Sequence, residues 1–380
     1  MKLAIIRQRY DAHGGAERFV SRAVDALAGG GAEVTVVARQ WRGEGSDWHW
    51  QRCDPFYLGR IWRDRGFGRA ACAVVAKGNF DLVQSHERIP CCDIYRAGDG
   101  VHAQWLQYRS RTLGPFGRLG LALSPFHWHL VAAERRLFAS PRLRAVICNS
   151  RMVHDEMARW FPALEGRLHV IHNGVDLQQF HPVAARTDRE AMRSRLGIPA
   201  DARVLLFVGS GFERKGVRVL LEAFAKMRRA TDRLVIVGRD RHAAHYRSRA
   251  ELLGLGSVVH WAGAQDDVRP WYGLADVFVL PTLYDPFPNA ALEAMACGLP
   301  VVTSAHCGTA EIIRDGWNGF VCRDPLDATE LAASLLKALD GAPAMGVNAR
   351  SRAEAFGLPA MAQTLLELYS TLVSSPGATT

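Results

Sequence analysis

Short hydrophobic stretches alternate with longer amphipathic ones along most of the 380-residue chain. Several stretches, such as Val204–Val208, are continuously apolar, which is typical of strands in a parallel sheet with helices on both faces. The predicted strands are Leu3–Arg7, Glu33–Ala38, Leu82–Ser85, Ala145–Cys148, Leu168–Ile171, Val204–Val208, Leu234–Val237, Val258–Trp261, Val277–Leu280 and Pro300–Thr303. The predicted helices are Ala16–Ala28, Val217–Met227, Tyr246–Leu253, Asn289–Ala296 and Leu358–Leu372. This alternation predicts an α/β architecture.

The predicted strands fall into two groups, with a turn-rich segment between them. Asn173-Gly174 indicates a turn, and Pro182 stops regular structure a few residues later. We therefore place a domain junction at residues 172–183 and expect two doubly wound sheets. A single barrel would need one closed run of eight βα units. Ligands of open parallel sheets bind beyond the carboxyl ends of the strands, so the ligand is expected in a cleft between the two domains.

Composition limits the function classes without choosing among them. Apolar residues make up 48% of the chain and charged residues 22%, which excludes a disordered protein. No stretch reaches 18 apolar residues, so no membrane-spanning helix is expected. The net charge of +9 favours polyanionic partners: nucleic acid, an anionic membrane face or phosphorylated substrates. The eight cysteines lack metal-binding spacing, and reduced thiols are expected.

The first candidate site is Gly14-Gly15, between the first predicted strand and the first predicted helix. Glycines at this position let backbone N–H groups approach an anion at a helix N-terminus. A tight strand-to-helix turn without ligand is the alternative. The pair is part of neither a GxGxxG nor a GxxxxGK[ST] motif, so a dinucleotide site or a P-loop is not supported.

The second candidate site is the loop Gly209–Gly216, which carries Arg214 and Lys215 before a predicted helix. An arginine fork and a lysine point charge both stabilise a departing diphosphate. The alternative is a solvated start of the helix. Cations at a helix N-terminus oppose the helix dipole, which favours a functional reason for their presence.

The third candidate site follows the strand Val277–Leu280. A proline-rich loop leads into a helix that starts near Asn289, the expected cap, and the backbone N–H groups of Asn289, Ala290 and Ala291 are expected to bind an anion. Glu293, one turn into the helix, is placed to accept hydrogen bonds from a diol such as a ribose. Asp285 and Glu293 could also be an ordinary capping acid and a surface acid.

Two segments, Arg60–Arg69 and Arg109–Phe138, mix arginines with aromatic residues. Such a mixture suits an anionic membrane surface, and it also suits single-stranded nucleic acid. An amphipathic helix with its apolar side in the core is the plain alternative. We expect peripheral membrane attachment through residues 109–136.

These motifs resemble those of the retaining family-4 glycosyltransferases with the GT-B fold. The family signature is a Glu, seven residues and a second Glu, which correspond to Asp285 and Glu293, and Arg214-Lys215-Gly216 is similar to the family's phosphate-binding loop. Segments similar to other family elements are Asn173–Asp176, Cys307-Gly308, Glu311 and Asp315–Gly319. The segment Gly14–Phe19 is most like that of transferases that build the lipopolysaccharide core.

The resemblance implies two Rossmann-like domains that face a central cleft. It implies that residues 1–175, completed by a C-terminal helix at 357–373, bind the acceptor, and that residues 176–356 bind a nucleotide-sugar. The residues it places at the donor are Gly14, Gly15, Gly209, Arg214, Lys215, Gln265, Asn289, Ala290, Ala291 and Glu293. The residues it makes catalytic are Asp99, Asp285, Arg214 and Lys215.

The implied activity is sugar transfer with retained anomeric configuration, without metal ion or cofactor. UDP-glucose is the expected donor, and a lipopolysaccharide core or related lipid-linked glycan is the expected acceptor, at the cytoplasmic face of the membrane. Alternatives are a UDP-N-acetylhexosamine or GDP-sugar donor for another polysaccharide, or a basic nucleic-acid-binding protein; nucleic acid is not expected as a partner. The chain departs from the family pattern at Asp285, one methylene shorter than Glu, and at Ser210, where an Arg is common. Arg214 is expected to supply that missing charge.

Overall fold

A computed structural model describes residues 1–8, 31–40 and 48–374. The chain forms two compact units. The first comprises Met1–Asn173 and Pro359–Thr380, and the second comprises Gly174–Leu358. The first unit thus ends at Asn173 rather than at residue 175. Gly14-Gly15 and the helix expected at Ala16–Ala28 lie outside the described residues.

The elements alternate along the chain as the hydrophobic pattern predicts. The strands of the described residues are β1 (Lys2–Ile6), β2 (Glu33–Ala38), β3 (Trp48–Arg52), β4 (Leu82–Ser85), β5 (Ile94–Arg96), β6 (Ala145–Cys148), β7 (Leu168–Val170), β8 (Val204–Val208), β9 (Arg233–Val237), β10 (Val259–Gly263), β11 (Val277–Leu280), β12 (Val301–Ser304) and β13 (Gly319–Cys322). The helices are α1 (Gly59–Lys77), α2 (His102–Ser110), α3 (Pro115–Ala122), α4 (Pro125–Phe138), α5 (Arg151–Trp160), α6 (Pro182–Arg186), α7 (Arg189–Arg195), α8 (Val217–Met227), α9 (Ala243–Leu252), α10 (Arg269–Leu274), α11 (Asn289–Ala296), α12 (Ala328–Asp340), α13 (Ala342–Glu354) and α14 (Leu358–Ser374).

The first unit contains a parallel sheet in the order β3-β2-β1-β4-β5-β6-β7. Its central strands are buried, as expected for a sheet that is covered on both faces. Helix α14 belongs to this unit. The Tyr369 hydroxyl donates a hydrogen bond to the Gln84 side-chain carbonyl at 2.6 Å, and Arg144 donates to the carbonyl oxygen of Leu372. Helix α14 is thereby fixed to the sheet of the first unit.

The second unit contains a parallel sheet in the order β10-β9-β8-β11-β12-β13. Strand order reverses between β8 and β11, so the loops that follow these two strands meet at a topological switch point. The loops approach closely at Gly216, where a Cβ atom would lie 2.0 Å from the carbonyl oxygen of Pro281. The backbone at Gly216 also has a φ of 80°, so only glycine fits without strain.

Three of the strands were not predicted from the hydrophobic pattern: β3, β5 and β13. Strand β3 is an edge strand of mostly exposed Trp, His, Gln and Arg residues, without the apolar run on which the prediction depended. Strand β5 has only three residues, and β13 begins with a glycine. The expectation of reduced thiols is wrong at one place, because Cys72 on α1 and Cys91 are joined by a disulfide.

Candidate active site

Three loops at the carboxyl edge of the second sheet are tied together by hydrogen bonds. The carbonyl oxygen of Arg214, in the loop after β8, accepts from the Thr282 hydroxyl at 2.9 Å and from the Leu283 amide at 2.8 Å. The Ser304 hydroxyl, at the end of β12, donates to the carbonyl oxygen of Thr282 at 2.6 Å. The loops after β8, β11 and β12 therefore form one fixed structure at the switch point.

Within this structure, Asp285 pairs with both cations of the loop after β8. Its Oδ2 atom accepts a hydrogen bond from the Lys215 ammonium and lies 3.3 Å from a guanidinium nitrogen of Arg214. The same guanidinium nitrogen donates to the carbonyl oxygen of Tyr284 at 3.0 Å. Lys215 and Asp285 are buried, whereas the Arg214 side chain is 39% exposed. Three sequence-predicted site residues are thus in direct contact.

The pKa of Asp285 follows from these contacts. Burial alone would raise the pKa of this carboxyl group, but the positive charges of Lys215 and Arg214 and their hydrogen bonds lower it below its ordinary value. Asp285 is therefore ionised at neutral pH. The cluster then holds two positive charges and one negative charge, and an anionic ligand meets a net positive site.

Helix α11 starts beside this cluster, but not as the sequence suggested. Asn289 is its first helical residue and not its cap; Pro288 occupies the cap position and makes no side-chain capping bond. The amide of Ala291 donates to the carbonyl oxygen of Pro288 at 3.2 Å. The Ala291 amide therefore already has an acceptor within the first turn of the helix. Asn289 and Ala290 lie at the N-terminus of the helix, where backbone N–H groups favour an anion.

Glu293 lies one turn further along α11 and is only 2% exposed. The Tyr272 hydroxyl, on α10, donates to Glu293 Oε2 at 3.0 Å and approaches the carbonyl oxygen of Ala290 at 3.2 Å. Tyr272 was not predicted from the sequence. No local pattern indicates it, because it reaches Glu293 from a helix that precedes the neighbouring strand. Glu293 is thus a buried acid that the Tyr272 hydroxyl holds in place, and it is not a surface residue.

The remaining predicted residues of this unit lie on the neighbouring loops. Gly209 packs next to Lys215: a Cβ atom at this position would lie 3.4 Å from the side-chain carbons of the lysine, which is ordinary van der Waals contact. The Ser210 hydroxyl accepts from the amide of Arg239 at 3.2 Å, which links the loops after β8 and β9. The Gln265 side chain, after β10, donates to the carbonyl oxygen of Ala262 at 2.7 Å. Gln265 therefore shapes its own loop.

Asp99 lies in the first unit, at the carboxyl edge of that sheet after β5. Its side chain is 63% exposed and lies 3.7 Å from a guanidinium nitrogen of Arg88, which follows β4. Arg88 is held by Glu134 at 2.9 Å, and Glu134 also accepts from the amide of His102 at 3.0 Å. Arg88 and Glu134 were not predicted from the sequence. Glu134 is distant from Arg88 in sequence and meets it only in the folded chain. No local spacing therefore reveals that Glu134 holds the arginine next to Asp99.

A pair of histidines adjoins this cluster. His102 Nε2 and His127 Nδ1 lie 3.0 Å apart, in hydrogen-bond contact. Burial, followed by the charges of Arg88 and His127, lowers the pKa of His102 to about 3, and burial also lowers the pKa of His127. Both rings are therefore neutral at pH 7. They join α2 to α4.

The predicted basic aromatic segments form an exposed surface on the first unit. Helix α3 has no buried residue, and Phe116 is 90% exposed. Trp128 is 61% exposed although its indole nitrogen donates to the carbonyl oxygen of Ala122. Helix α4 has a buried side, so the plain core interpretation holds for α4 and fails for α3. We call this surface the arginine–aromatic face; its members are Arg111, Phe116, Arg118, Leu119, Leu123 and Trp128.

The second basic segment approaches the same helices. Arg60 lies over the ring of Phe126, on α4, with 5.6 Å between the guanidinium carbon and the ring centroid. Phe56 and Trp62 are also exposed. Within residues 1–8, 31–40 and 48–374, every helix is too short or too polar to cross a bilayer.

Comparison with known proteins identifies the family. Residues 13–179 match the family described as Glycosyltransferase Family 4, and residues 188–359 match glycosyl transferases group 1. D-inositol 3-phosphate glycosyltransferase 2 of Catenulispora acidiphila is 32% identical over 314 residues, which are 77% of this chain and 71% of that protein. Lipopolysaccharide glucosyltransferase WaaG of Escherichia coli (strain K12) is 26% identical over 381 residues, covering 96% of this chain and 98% of WaaG.

A solved structure of WaaG, a glycosyltransferase involved in lipopolysaccharide biosynthesis, superimposes with a TM-score of 0.84. It has 25% sequence identity and covers 97% of this chain and 99% of that one. Each of the two parallel sheets lies within the residues of one of the two family matches or directly next to them. The chain is an enzyme that belongs to the family-4 glycosyltransferases of the GT-B fold.

Proposed function

We propose that this glycosyltransferase moves glucose from UDP-glucose to a lipopolysaccharide core or a related lipid-linked glycan. The observation that carries the proposal is the cluster of Arg214, Lys215 and Asp285 beside the N-terminus of α11. Two cations and a helix N-terminus together suit a diphosphate. The similarity to a lipopolysaccharide glucosyltransferase over nearly the whole chain supports the choice of sugar and acceptor.

The second unit is the donor-binding unit in this proposal. Lys215 and Arg214 contact the diphosphate, and the amides of Asn289 and Ala290 bind phosphate or sugar hydroxyls. Glu293, oriented by Tyr272, accepts hydrogen bonds from the ribose hydroxyls. Four further donor roles rest on family resemblance. The backbone of Gln265 contacts the base, and Gly209, Gly14 and Gly15 let the diphosphate approach the backbone.

The reaction needs one bond broken and one formed at the anomeric carbon. The bond between that carbon and the β-phosphate oxygen breaks, and the electron pair stays on the diphosphate. The acceptor oxygen bonds to the same face of the sugar, which retains the configuration, and its proton passes to the diphosphate. The protein then contributes positioning and charge stabilisation and needs no strong base. Family resemblance alone assigns Asp99 and Asp285 to the transferred sugar in this scheme.

The first unit is the acceptor-binding unit in this proposal, and it attaches to the inner face of the cytoplasmic membrane. The arginine–aromatic face supports this, because its aromatic residues and its arginines are all exposed and lie within residues 111–128. Aromatic residues that are flanked by arginines favour an anionic lipid surface. A lipid-linked acceptor is presented at such a surface.

A second acceptor class has its own support. A relative that is 32% identical is named for D-inositol 3-phosphate, so a phosphorylated cyclitol is the second candidate acceptor. UDP-N-acetylhexosamine and GDP-sugars are the alternative donors.

The test is a transfer assay with radiolabelled UDP-glucose and two acceptors, a truncated lipopolysaccharide core and D-inositol 3-phosphate. We expect label in the lipopolysaccharide and an α-linked product by NMR, which is the configuration of the donor. Label found only in the inositol phosphate would show that this compound, and not the lipopolysaccharide core, is the acceptor. Hydrolysis of UDP-glucose without transfer would contradict the proposal.

Membrane attachment is tested separately, with vesicles of phosphatidylglycerol and phosphatidylcholine at low salt. We expect the protein to sediment with the anionic vesicles, and the double variant Phe116→Ser, Trp128→Ser to bind at least about tenfold more weakly. The exposed residue Val347, in the other unit, provides a control as Val347→Ser. Equal binding by all three proteins would refute this role of the face.

A further inference from the structure

Asp285 offers one oxygen atom to two cations. Both the Lys215 ammonium and the nearer Arg214 nitrogen contact Oδ2. The backbone of Asp285 is fixed on both sides, since its amide donates to the carbonyl oxygen of His306 at 3.0 Å and its own carbonyl oxygen accepts from Gly308 at 2.8 Å. The backbone that carries the carboxylate is therefore fixed next to the two cations.

This arrangement sets the charge that a diphosphate meets. Asp285 is ionised, so it offsets one of the two positive charges that face the ligand. Because these charges are in contact and partly buried, water and salt screen their interaction far less than they screen charges in solution. The carboxylate thus competes with the ligand's phosphates for the same two cations.

The two ligands of this site differ in charge. UDP-glucose carries two negative charges on its diphosphate. The product UDP gains the former bridging oxygen as a terminal phosphate oxygen, and with a second phosphate pKa near 6 it carries a third negative charge once the transferred proton is released to solvent at pH 8. Loss of the offset charge should therefore strengthen the binding of product more than the binding of donor.

We propose that the Asp285 carboxylate competes with the diphosphate for Arg214 and Lys215, so that the nucleoside diphosphate product leaves. This inference rests on the proposed donor-binding function of the second unit. It assigns to Asp285 a role in product release, which is separate from any contact with the donor sugar.

The test compares UDP and UDP-glucose binding by calorimetry at pH 8 for the wild type, Asp285→Asn and Asp285→Glu. Asp285→Asn keeps the shape and removes the charge. We expect it to bind UDP about tenfold more tightly, with a smaller gain for UDP-glucose. In steady-state assays its kcat should fall, and its inhibition constant for UDP should fall with it. Asp285→Glu restores the charge and should return UDP affinity to within about threefold of the wild type.

Asp232→Asn is the matched control, because it also removes one carboxylate from a buried ion pair. Asp232 binds Arg203 through both oxygens, at 2.9 and 2.6 Å, and both residues precede their strands, at the opposite edge of the sheet. The control should bind UDP as the wild type does.

The outcomes separate the two proposals. Unchanged or weaker UDP binding by folded Asp285→Asn would overturn the competitor role while the donor site stands. Tighter binding by both Asp285→Asn and Asp285→Glu would overturn it too, since charge would not be the cause. A wild type that binds neither UDP nor UDP-glucose would overturn the proposed function itself.

Discussion

Tyr272 donates a hydrogen bond from its hydroxyl to Oε2 of Glu293 at 3.0 Å, and both side chains are buried. The tyrosine comes from α10, which precedes β11, whereas the acid lies on α11, which follows β11. The contact fixes the direction of the carboxylate across one strand of the sheet. In the proposed donor site, a carboxylate that is already oriented loses little further freedom when the ribose binds.

Removal of the Tyr272 hydroxyl should weaken donor binding with little loss of fold. Ordering a free side chain on binding costs about 0.5–1.5 kcal/mol, so Tyr272→Phe, which frees the Glu293 carboxylate, should raise the KM for the nucleotide-sugar up to about tenfold. Steady-state kinetics measure the change. Tyr246→Phe removes the hydroxyl of another buried tyrosine of the same unit and should leave KM unchanged. An unchanged KM in Tyr272→Phe would mean that the contact only supports packing.

Replacement of Glu293 should abolish most activity. Glu293→Gln keeps the shape of the side chain but presents an amide that accepts from ribose hydroxyls less strongly than a carboxylate. We expect at least about a hundredfold loss in kcat/KM and a far-ultraviolet circular dichroism spectrum like that of the wild type. Glu293→Ala should lose at least as much activity. Full activity in either variant would contradict the donor-site assignment.

Lys215→Ala should reduce both donor affinity and turnover, because it removes a buried positive charge that faces the diphosphate. It also leaves Asp285 with Arg214 alone, and loss of one member of a buried pair costs about 3 kcal/mol of unfolding free energy. Thermal unfolding and donor titration measure the two effects. Lys226→Ala, an exposed lysine on the adjacent α8, should change neither. Wild-type donor affinity in Lys215→Ala would remove this residue from the site.

The ion pair of Asp285 predicts a pH dependence of stability. The pKa of Asp285 is lower in the folded protein than the value of about 3.9 for an unfolded aspartate. Its contribution is therefore fully present above the unfolded value and is lost as pH falls through the folded value. Denaturant unfolding of wild type and Asp285→Asn should differ by a constant free energy from pH 5 to 8, and by progressively less below pH 4. A difference that grows on acidification would contradict the assigned charge state.

The sequence pattern is sufficient for the part of the fold that depends on long apolar runs. Strands such as Val204–Val208 and Val277–Leu280 were predicted with their observed bounds, because strands buried on both faces need uninterrupted apolar residues. Strand β3 could not be predicted in this way, since its position at the sheet edge leaves most of its side chains in water.

The site is predictable only where its residues are close in sequence. Arg214 and Lys215 appear together in one loop, and Asp285 and Glu293 flank one helix start. The contacts of Tyr272 with Glu293 and of Glu134 with Arg88 join distant segments, and no local spacing reveals them. The cap at Asn289 was wrong because Pro288, which has no N–H group, already takes the extended conformation that precedes the helix.

The central claim is that the second unit binds a UDP-sugar, and a thermal-shift screen of nucleotides and nucleotide-sugars tests it most directly. A ligand at about 100 times its dissociation constant adds roughly 2.7 kcal/mol of stability, which is enough to move the melting temperature. The proposed function predicts a shift with UDP and UDP-glucose and a smaller one or none with GDP- and ADP-sugars. A shift with GDP-sugars alone would show that the donor is a GDP-sugar and not UDP-glucose. No shift with any nucleotide would contradict the proposed donor site.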